Sequence, residues 1–278
     1  MKSPASVLLP AKLKAIEAAA LRACGDADGV VEDPPSCHFD PASLRCRGPE
    51  TPDCLTAPQL EALEKIYRGA HDPKTGAAIL PGFEPGGEAE PDSWDNWIVS
   101  AGGPQQTADY AFGMGFFGAM VFGDPSFDLH RIDFARDVPV VEAKVGAILG
   151  TNNADLAPFK KRGGKLLQYH GWNDPGLPAR LSTEYFERVQ AKVGDTADFY
   201  RLFMLPRVLH CEGGRGADFA PYREAITAWV EHGTPPDQMI ATKYEGDDDA
   251  NRVLRKQLLC PYPRHAAGGG CAPPTPKR

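Results

Sequence analysis

Two apolar runs, Lys165-Leu166-Leu167-Gln168-Tyr169-His170 and Phe199 to Leu205, each end in a loop, and the segment between them carries apolar residues at helical spacing. Strand, helix and strand in that order argue parallel pairing, because a parallel partner is reached only by a crossover, which a helix usually supplies. The later part of the chain is therefore expected to form an α/β core. In such sheets functional side chains collect at the carboxyl ends of the strands.

The rest of the pattern fits around that unit. Leu181 to Val193 is expected as the crossover helix with Ser182 as its N-cap, and Phe219 to His232 as a closing helix with Gly233 after it. Upstream, residues 10–24 hold strong helix formers behind Pro10, and Leu60, Leu63 and Ile66 mark a second helix from about Pro58 to Arg68. Gly25 to Asp53 and His71 to Asp95 are too rich in Gly, Pro and Asp for long elements. The acidic run from Glu245 to Asp249 reads as a turn before a last strand. The texture changes near residue 137, which divides the chain into 1–137 and 138–278.

A net charge of −7 and a pI near 5.5 argue against a nucleic-acid or anionic-membrane partner, since either would need clustered Lys and Arg. No stretch approaches the roughly 20 apolar residues of a membrane span. Nor does the N-terminus resemble a signal peptide, which taken alone suggests a cytoplasmic protein. The cysteines disagree. Cys24 and Cys37, Cys46 and Cys54, and Cys260 and Cys271 form short-range pairs suited to disulfides and hence to an oxidising compartment. Reduced buried thiols are one alternative; zinc is a weaker one, because no Cys-x-x-Cys spacing occurs. Cys211 is left without a partner.

Asp174 lies in Tyr169-His170-Gly171-Trp172-Asn173-Asp174-Pro175, and His210 opens His210-Cys211-Glu212-Gly213-Gly214 after the next strand. An acid and then a histidine at successive strand ends suit the acid and base of a hydrolase triad, in which the carboxylate orients the imidazole and stabilises its charged form. The plainer alternative is a turn-capping Asp174 and an ordinary buried His210. The triad also needs a serine on a sharp turn, and no Gly-x-Ser-x-Gly sequence is present. The eight serines, Ser3, Ser6, Ser36, Ser43, Ser93, Ser100, Ser126 and Ser182, fall in tails, caps or loops. The chain is thus expected to carry half of an active site, with the other half N-terminal to Met1. The glycines at 213, 214 and 216 lack the ending of a phosphate loop and are expected to aim His210.

Asp26, Asp28 and the Val30 carbonyl, with Glu32 or Asp33, are candidate calcium ligands, yet they supply fewer oxygens than calcium takes. A plain acidic turn is the equal alternative. Trp94 and Trp97, with Phe112, Phe116 and Phe117 nearby, could stack on an aromatic group, or could be the small core of a covering segment.

These motifs resemble the tannase and feruloyl esterase family of α/β-hydrolases. The resemblance rests on Leu9-Pro10-Ala11-Lys12-Leu13, on the turn from Asp28 to Pro34, on Phe39-Asp40-Pro41 and Asp53-Cys54-Leu55-Thr56, and on Val121-Phe122-Gly123-Asp124-Pro125. It continues in Gly163-Gly164-Lys165-Leu166, in the Asp174 and His210 motifs, and in Leu259-Cys260-Pro261-Tyr262-Pro263. It implies a disulfide-stapled lid domain in 1–137 and the C-terminal part of a hydrolase core in 138–278. It also implies an ester of an aromatic acid as substrate, with Trp94, Trp97 and His170 at its binding site, and no organic cofactor. In this family a cysteine before the nucleophilic serine is bridged to the cysteine after the catalytic histidine, so the resemblance gives Cys211 a partner in an N-terminal half of the hydrolase domain. Family members are secreted or periplasmic. The lid loop of the family carries further aspartates that the short segment from Cys24 to Asp28 lacks, which weakens the calcium expectation. The resemblance leaves two functions: a serine carboxylesterase that is inactive without its N-terminal half, or a non-catalytic lid-like binding module or partner that complements a separate N-terminal chain.

Overall fold

The computed structural model describes residues 4–26, 29–247 and 249–274 of the chain. Helix α1 (Pro10–Cys24) starts at a proline, whose missing N–H costs nothing in a first turn, and buries Leu13, Ile16 and Ala20. Helix α2 (Ala57–Arg68) opens on a capping box in which the Gln59 side chain accepts from the Thr56 N–H at 3.0 Å. Its buried Leu60 and Leu63 join Leu8, Leu44, Leu55, Trp94 and Val99 in a first core. Disulfides Cys24–Cys37 and Cys46–Cys54 staple the irregular segment between the two helices.

A short antiparallel pair, β1 (Ala70–His71) and β2 (Ala78–Leu80), precedes helix α3 (Trp94–Trp97). Helix α4 (Ala108–Gly113) is capped by the Thr107 hydroxyl and runs into a π-helical stretch, Met114–Phe122. Three further helices follow: α5 (Phe134–Val141), α6 (Ala147–Leu149) and α7 (Ala157–Lys161).

Strand β3 (Leu166–Gly171), helix α8 (Arg180–Val193) and strand β4 (Tyr200–Leu205) form the parallel unit, with Leu166 opposite Tyr200 and Gly171 opposite Leu205. One face of β4 packs Leu202 and Met204 with Phe186 and Val189 of α8, while the other packs Phe203 and Leu205 beneath helix α9 (Tyr222–His232) and strand β5 (Met239–Tyr244). Gly233 ends α9 in the left-handed conformation.

Among the described strands only β3 and β4 pair in parallel, and Arg45 and Leu55 form an isolated parallel bridge. Strand β5 pairs antiparallel with β6 (Val253–Leu259), and β7 (His265–Ala267) pairs antiparallel with β8 (Gly270–Ala272) next to the Cys260–Cys271 bridge. The reason is local: a short acidic turn rather than a helix joins β5 to β6, and β5 alternates buried Met239, Ala241 and Lys243 with exposed Ile240. The acidic turn therefore makes the return of the β5–β6 hairpin, and the strand after it is not the last, because β7 and β8 follow.

Ser182 is not the N-cap of α8. That helix begins at Arg180, two residues earlier, and Ser182 lies inside its first turn.

The two halves are tied together by a buried ion cluster. Arg207, just past β4, donates from Nε to Oε1 of Glu90 at 2.7 Å and from Nη2 to Oε1 of Glu17 on α1 at 3.1 Å. Arg215 joins from the other end of the same loop, its N–H donating to Oε2 of Glu90 at 3.0 Å and its Nη1 to Glu17 at 3.1 Å.

Candidate active site

The loops after β3 and β4 are laced to each other by their backbones. The N–H groups of Gly171 and Asn173 donate to the carbonyls of His210 and Val208 at 3.2 and 3.0 Å. Gly171 is required there, because a side chain would run into the backbone of Val208 and Leu209. Arg207 turns the chain out of β4 at φ 57°, a left-handed conformation unusual outside glycine, and Gly213 and Gly214 turn it back at φ 83° and 73°. The Asp218 carboxylate fixes this second turn by accepting from the Gly213 N–H at 2.8 Å, and Lys243 pairs with the same oxygen at 3.0 Å.

These turns place Asp174 and His210 side by side. His210 Nδ1 stands 2.5 Å from Asp174 Oδ2, with the histidine side chain 60% exposed and the carboxylate 1% exposed. A carboxylate only accepts, so Nδ1 carries the proton and Nε2 is the nitrogen left to face a reactant. Asp174 Oδ1 accepts the N–H groups of Gly176 and Leu177 at 2.8 and 2.9 Å, and Oδ2 takes a second imidazole, His170 Nε2, at 2.8 Å. Burial alone would raise the Asp174 carboxyl, but hydrogen bonds from His170, Leu177, His210 and Gly176 together hold it below the ordinary carboxylate range.

His170 is buried, with Nδ1 bonded to Ser182 Oγ at 2.8 Å, so both ring nitrogens are engaged and neither is free for a substrate. Trp94 is buried in the first core among Tyr67 and Phe83 and presents no open face. Trp97 is half-buried, stacks on the exposed Phe112 at a centroid distance of 5.7 Å, and packs against Gly176, two residues from Asp174.

Asp109 on α4 is a group that motif reading missed. Burial, and then the negative charge of Asp174, push its carboxyl up to about 7. Its signal in the sequence was only a first-turn aspartate, which usually serves a helix N-terminus. The exposed Cys211 carries a free thiol, pushed up by partial desolvation and by the charges of Glu212 and Asp174.

His170, Asp174 and His210 each offer a metal-ligating atom, all within 4.8 Å of one another. Both imidazoles are aimed at one carboxylate oxygen, however, which is a hydrogen-bond geometry rather than three donors around a common point. In the acidic turn, Asp26 Oδ1 accepts the Val30 N–H at 2.9 Å and the Val30 carbonyl accepts the Asp26 N–H at 2.8 Å. The Gly29 carbonyl accepts from Arg207 Nη1 at 2.7 Å. The described donors are turned to one another and to a guanidinium, which does not fit a calcium shell; Asp28 lies outside the described residues.

The sequence profile of the tannase and feruloyl esterase family matches residues 1–270. An uncharacterized esterase of Xanthomonas campestris pv. campestris is 38% identical over 305 residues, spanning 95% of this chain and 53% of that protein. The mono(2-hydroxyethyl) terephthalate hydrolase of Piscinibacter sakaiensis is 29% identical, over 87% of this chain and 46% of its own. A solved esterase from Aspergillus oryzae superposes with a TM-score of 0.82 at 25% identity, over 95% of this chain and 55% of that one. The chain thus spans about half the length of the proteins it matches.

Proposed function

The chain belongs to the tannase and feruloyl esterase family, and on that premise we propose that Asp174 and His210 are the acid and base of a carboxylic ester hydrolase acting on esters of aromatic acids. The serine of this site is supplied by the half of the relatives' length that the chain does not span. The observation that carries the reading is the 2.5 Å contact between a buried carboxylate and an imidazole whose other nitrogen faces solvent.

In that role His210 Nε2 takes the proton of the serine hydroxyl as its oxygen attacks the ester carbonyl, and returns it to the departing alcohol. A second passage, with water in place of the serine, frees the acid. Asp174 keeps Nε2 pointed outward and stabilises the imidazolium formed in each passage. The stacked Trp97 and Phe112 beside Gly176 suit an aromatic acyl group. Residues 1–137 serve as the lid and residues 138–278 as the later part of the hydrolase core. Among the described residues β3 is paired only with β4, and a cleft of about 530 Å³ opens beside Gln168, Ser182 and Tyr185, where further core can pack. Three disulfides suit a secreted or periplasmic protein. The free Cys211 thiol is then the partner of a cysteine beside the serine.

The test is complementation. The chain is assayed on methyl ferulate alone, and together with the half of the Xanthomonas relative that it does not span. The expected result is no turnover alone, turnover when the half is present, and loss of that turnover in His210→Ala. Hydrolysis by the chain alone that disappears in His210→Ala would show that the nucleophile is one of its own serines. A folded but inactive complemented enzyme would end the esterase assignment.

A further inference from the structure

Gln168 and His170 lie two apart on β3, so their side chains share the face that α8 covers. Four hydrogen bonds there connect a buried tyrosine to the acid of the site. The Tyr200 hydroxyl donates to Gln168 Oε1, Gln168 Nε2 donates to Ser182 Oγ at 2.9 Å, Ser182 Oγ lies 2.8 Å from His170 Nδ1, and His170 Nε2 lies 2.8 Å from Asp174 Oδ2.

Donor counting gives this row one direction. An amide nitrogen only donates, so Ser182 accepts from Gln168 and its single proton is free to go to His170 Nδ1. A carboxylate only accepts, so the other ring nitrogen must carry the ring's proton. We propose that Tyr200, Gln168 and Ser182 form a one-way relay that donates to His170 Nδ1 and, together with the acceptor Asp174, fixes the ring in its Nε2–H form, making His170 a positioning residue that holds the Asp174 carboxylate beneath His210. The site consequently holds one histidine that exchanges protons with reactants and a second that donates a fixed hydrogen bond to the same oxygen.

A reversed Gln168 amide would break the relay. Ser182 would then donate to Gln168, and His170 would need a proton on both nitrogens. Nor does the row form a nucleophilic triad of Ser182, His170 and Asp174. Ser182 lies inside a helical turn and its N–H already donates to the Ala179 carbonyl at 3.1 Å, so its own backbone offers no free donor for an oxyanion.

The catalytic consequence rests on the esterase reading, whereas the tautomer does not, and the experiment separates them. In the ¹⁵N-labelled chain at neutral pH, long-range ¹H–¹⁵N correlation is expected to show His170 protonated on Nε2 alone. Ser182→Ala should move the Nδ1 resonance away from its hydrogen-bonded position and leave Nε2 protonated. A proton on Nδ1 in the unsubstituted chain, whether alone or beside one on Nε2, overturns the relay. In the complemented enzyme, His170→Gln presents an amide N–H near the Nε2 position and should retain turnover within about threefold. His170→Leu should lose about tenfold to a hundredfold, the usual worth of a hydrogen bond to a charged group. Glutamine performing no better than leucine would contradict the positioning role, and so would Ser182→Ala losing as much turnover as His210→Ala, which a single relay hydrogen bond does not account for. If the complemented enzyme has no activity, the esterase reading fails and the ring signals still decide the tautomer.

Discussion

Arg207 and Glu90, 117 residues apart, are joined by a hydrogen-bonded ion pair in which both side chains are under a tenth exposed. The pair binds the first half of the chain to the loop that carries His210, and it holds the left-handed backbone at Arg207. Removing one member leaves the other with fewer partners, since Arg207 keeps Glu17 and Glu90 keeps Arg215, so the loss is expected below the roughly 3–5 kcal/mol of a fully stranded buried charge. Glu90→Ala and Arg207→Ala are therefore expected to lower the urea midpoint. The double variant Glu90→Leu, Arg207→Met should recover part of that loss, since neither charge is then left alone. Equal stability of the single and double variants would show that the pair is not the joint.

Stability should also fall as pH rises from acid toward neutrality. Burial pushes Glu88 up to about 7 from an ordinary 4.5, against hydrogen bonds from Tyr67 and the Gly86 N–H that lower it. The folded chain therefore binds this proton more tightly than the unfolded chain. The stabilisation is full below about 4.5 and is lost as pH climbs through about 7. The change is on the order of 3 kcal/mol for a fully buried carboxyl. Asp174 has the opposite sign: its carboxyl is held low, so its contribution is lost as pH falls below the ordinary carboxylate range. Denaturation at a series of pH values should show a decline between pH 5 and 8 that Glu88→Gln makes shallower, Asp109 and Glu32 supplying the rest because burial raises them to about 7 as well.

How far the sequence carried these findings can be judged from particular residues. The helices at Pro10 and Ala57, the strands ending at Gly171 and Leu205, and the three short-range disulfides followed from periodicity, caps and spacing. Such signals are local. The antiparallel β5–β6 pair was not read from the sequence, because strand order alone does not say whether a turn or a helix makes the return. Glu17, Glu90, Arg207 and Arg215 left no mark in the sequence, since ion pairs across such separations depend on packing that no short motif encodes. Ser182 fits the composition of a cap, yet its hydroxyl went to His170 on another element. Asp174 and His210 stood out because each ends a strand in a glycine-containing motif, whereas Asp109 comes near Asp174 only through the fold.

Calcium should have little effect on this chain. Among the described residues of the acidic turn, Asp26 and Val30 are bonded to each other and Arg207 sets a fixed positive charge on the Gly29 carbonyl. A divalent cation at the Val30 carbonyl would have to share it with the Asp26 N–H, beside the positive charge of Arg207 that also binds Glu17 and Glu90. Melting temperatures in excess EDTA and in millimolar calcium are expected to agree within error. A calcium-dependent rise of several degrees would mean that this turn opens to admit the ion.

The most sensitive small substitution should be Gly171→Ala. A methyl group at this position meets the carbonyls of Val208 and Leu209, and backbone cannot rotate away as a long side chain would. The loop after β4 must then move off β3. That movement strains the hydrogen bond from the Gly171 N–H to the His210 carbonyl and the neighbouring one from Asn173 to Val208. Overpacking of this kind typically costs about 1–3 kcal/mol, so the variant should fold with a lowered urea midpoint. Because Asp174 stays on the β3 side while His210 travels with the displaced loop, their 2.5 Å contact should lengthen. Complemented turnover should consequently fall by more than the loss of folded protein accounts for. Gly164→Ala serves as the control, since the atoms nearest its methyl belong to the Phe159 ring, a side chain that can shift, and not to backbone. Gly171→Ala with full activity per folded molecule would show that the spacing between the two loops does not set the Asp174–His210 geometry.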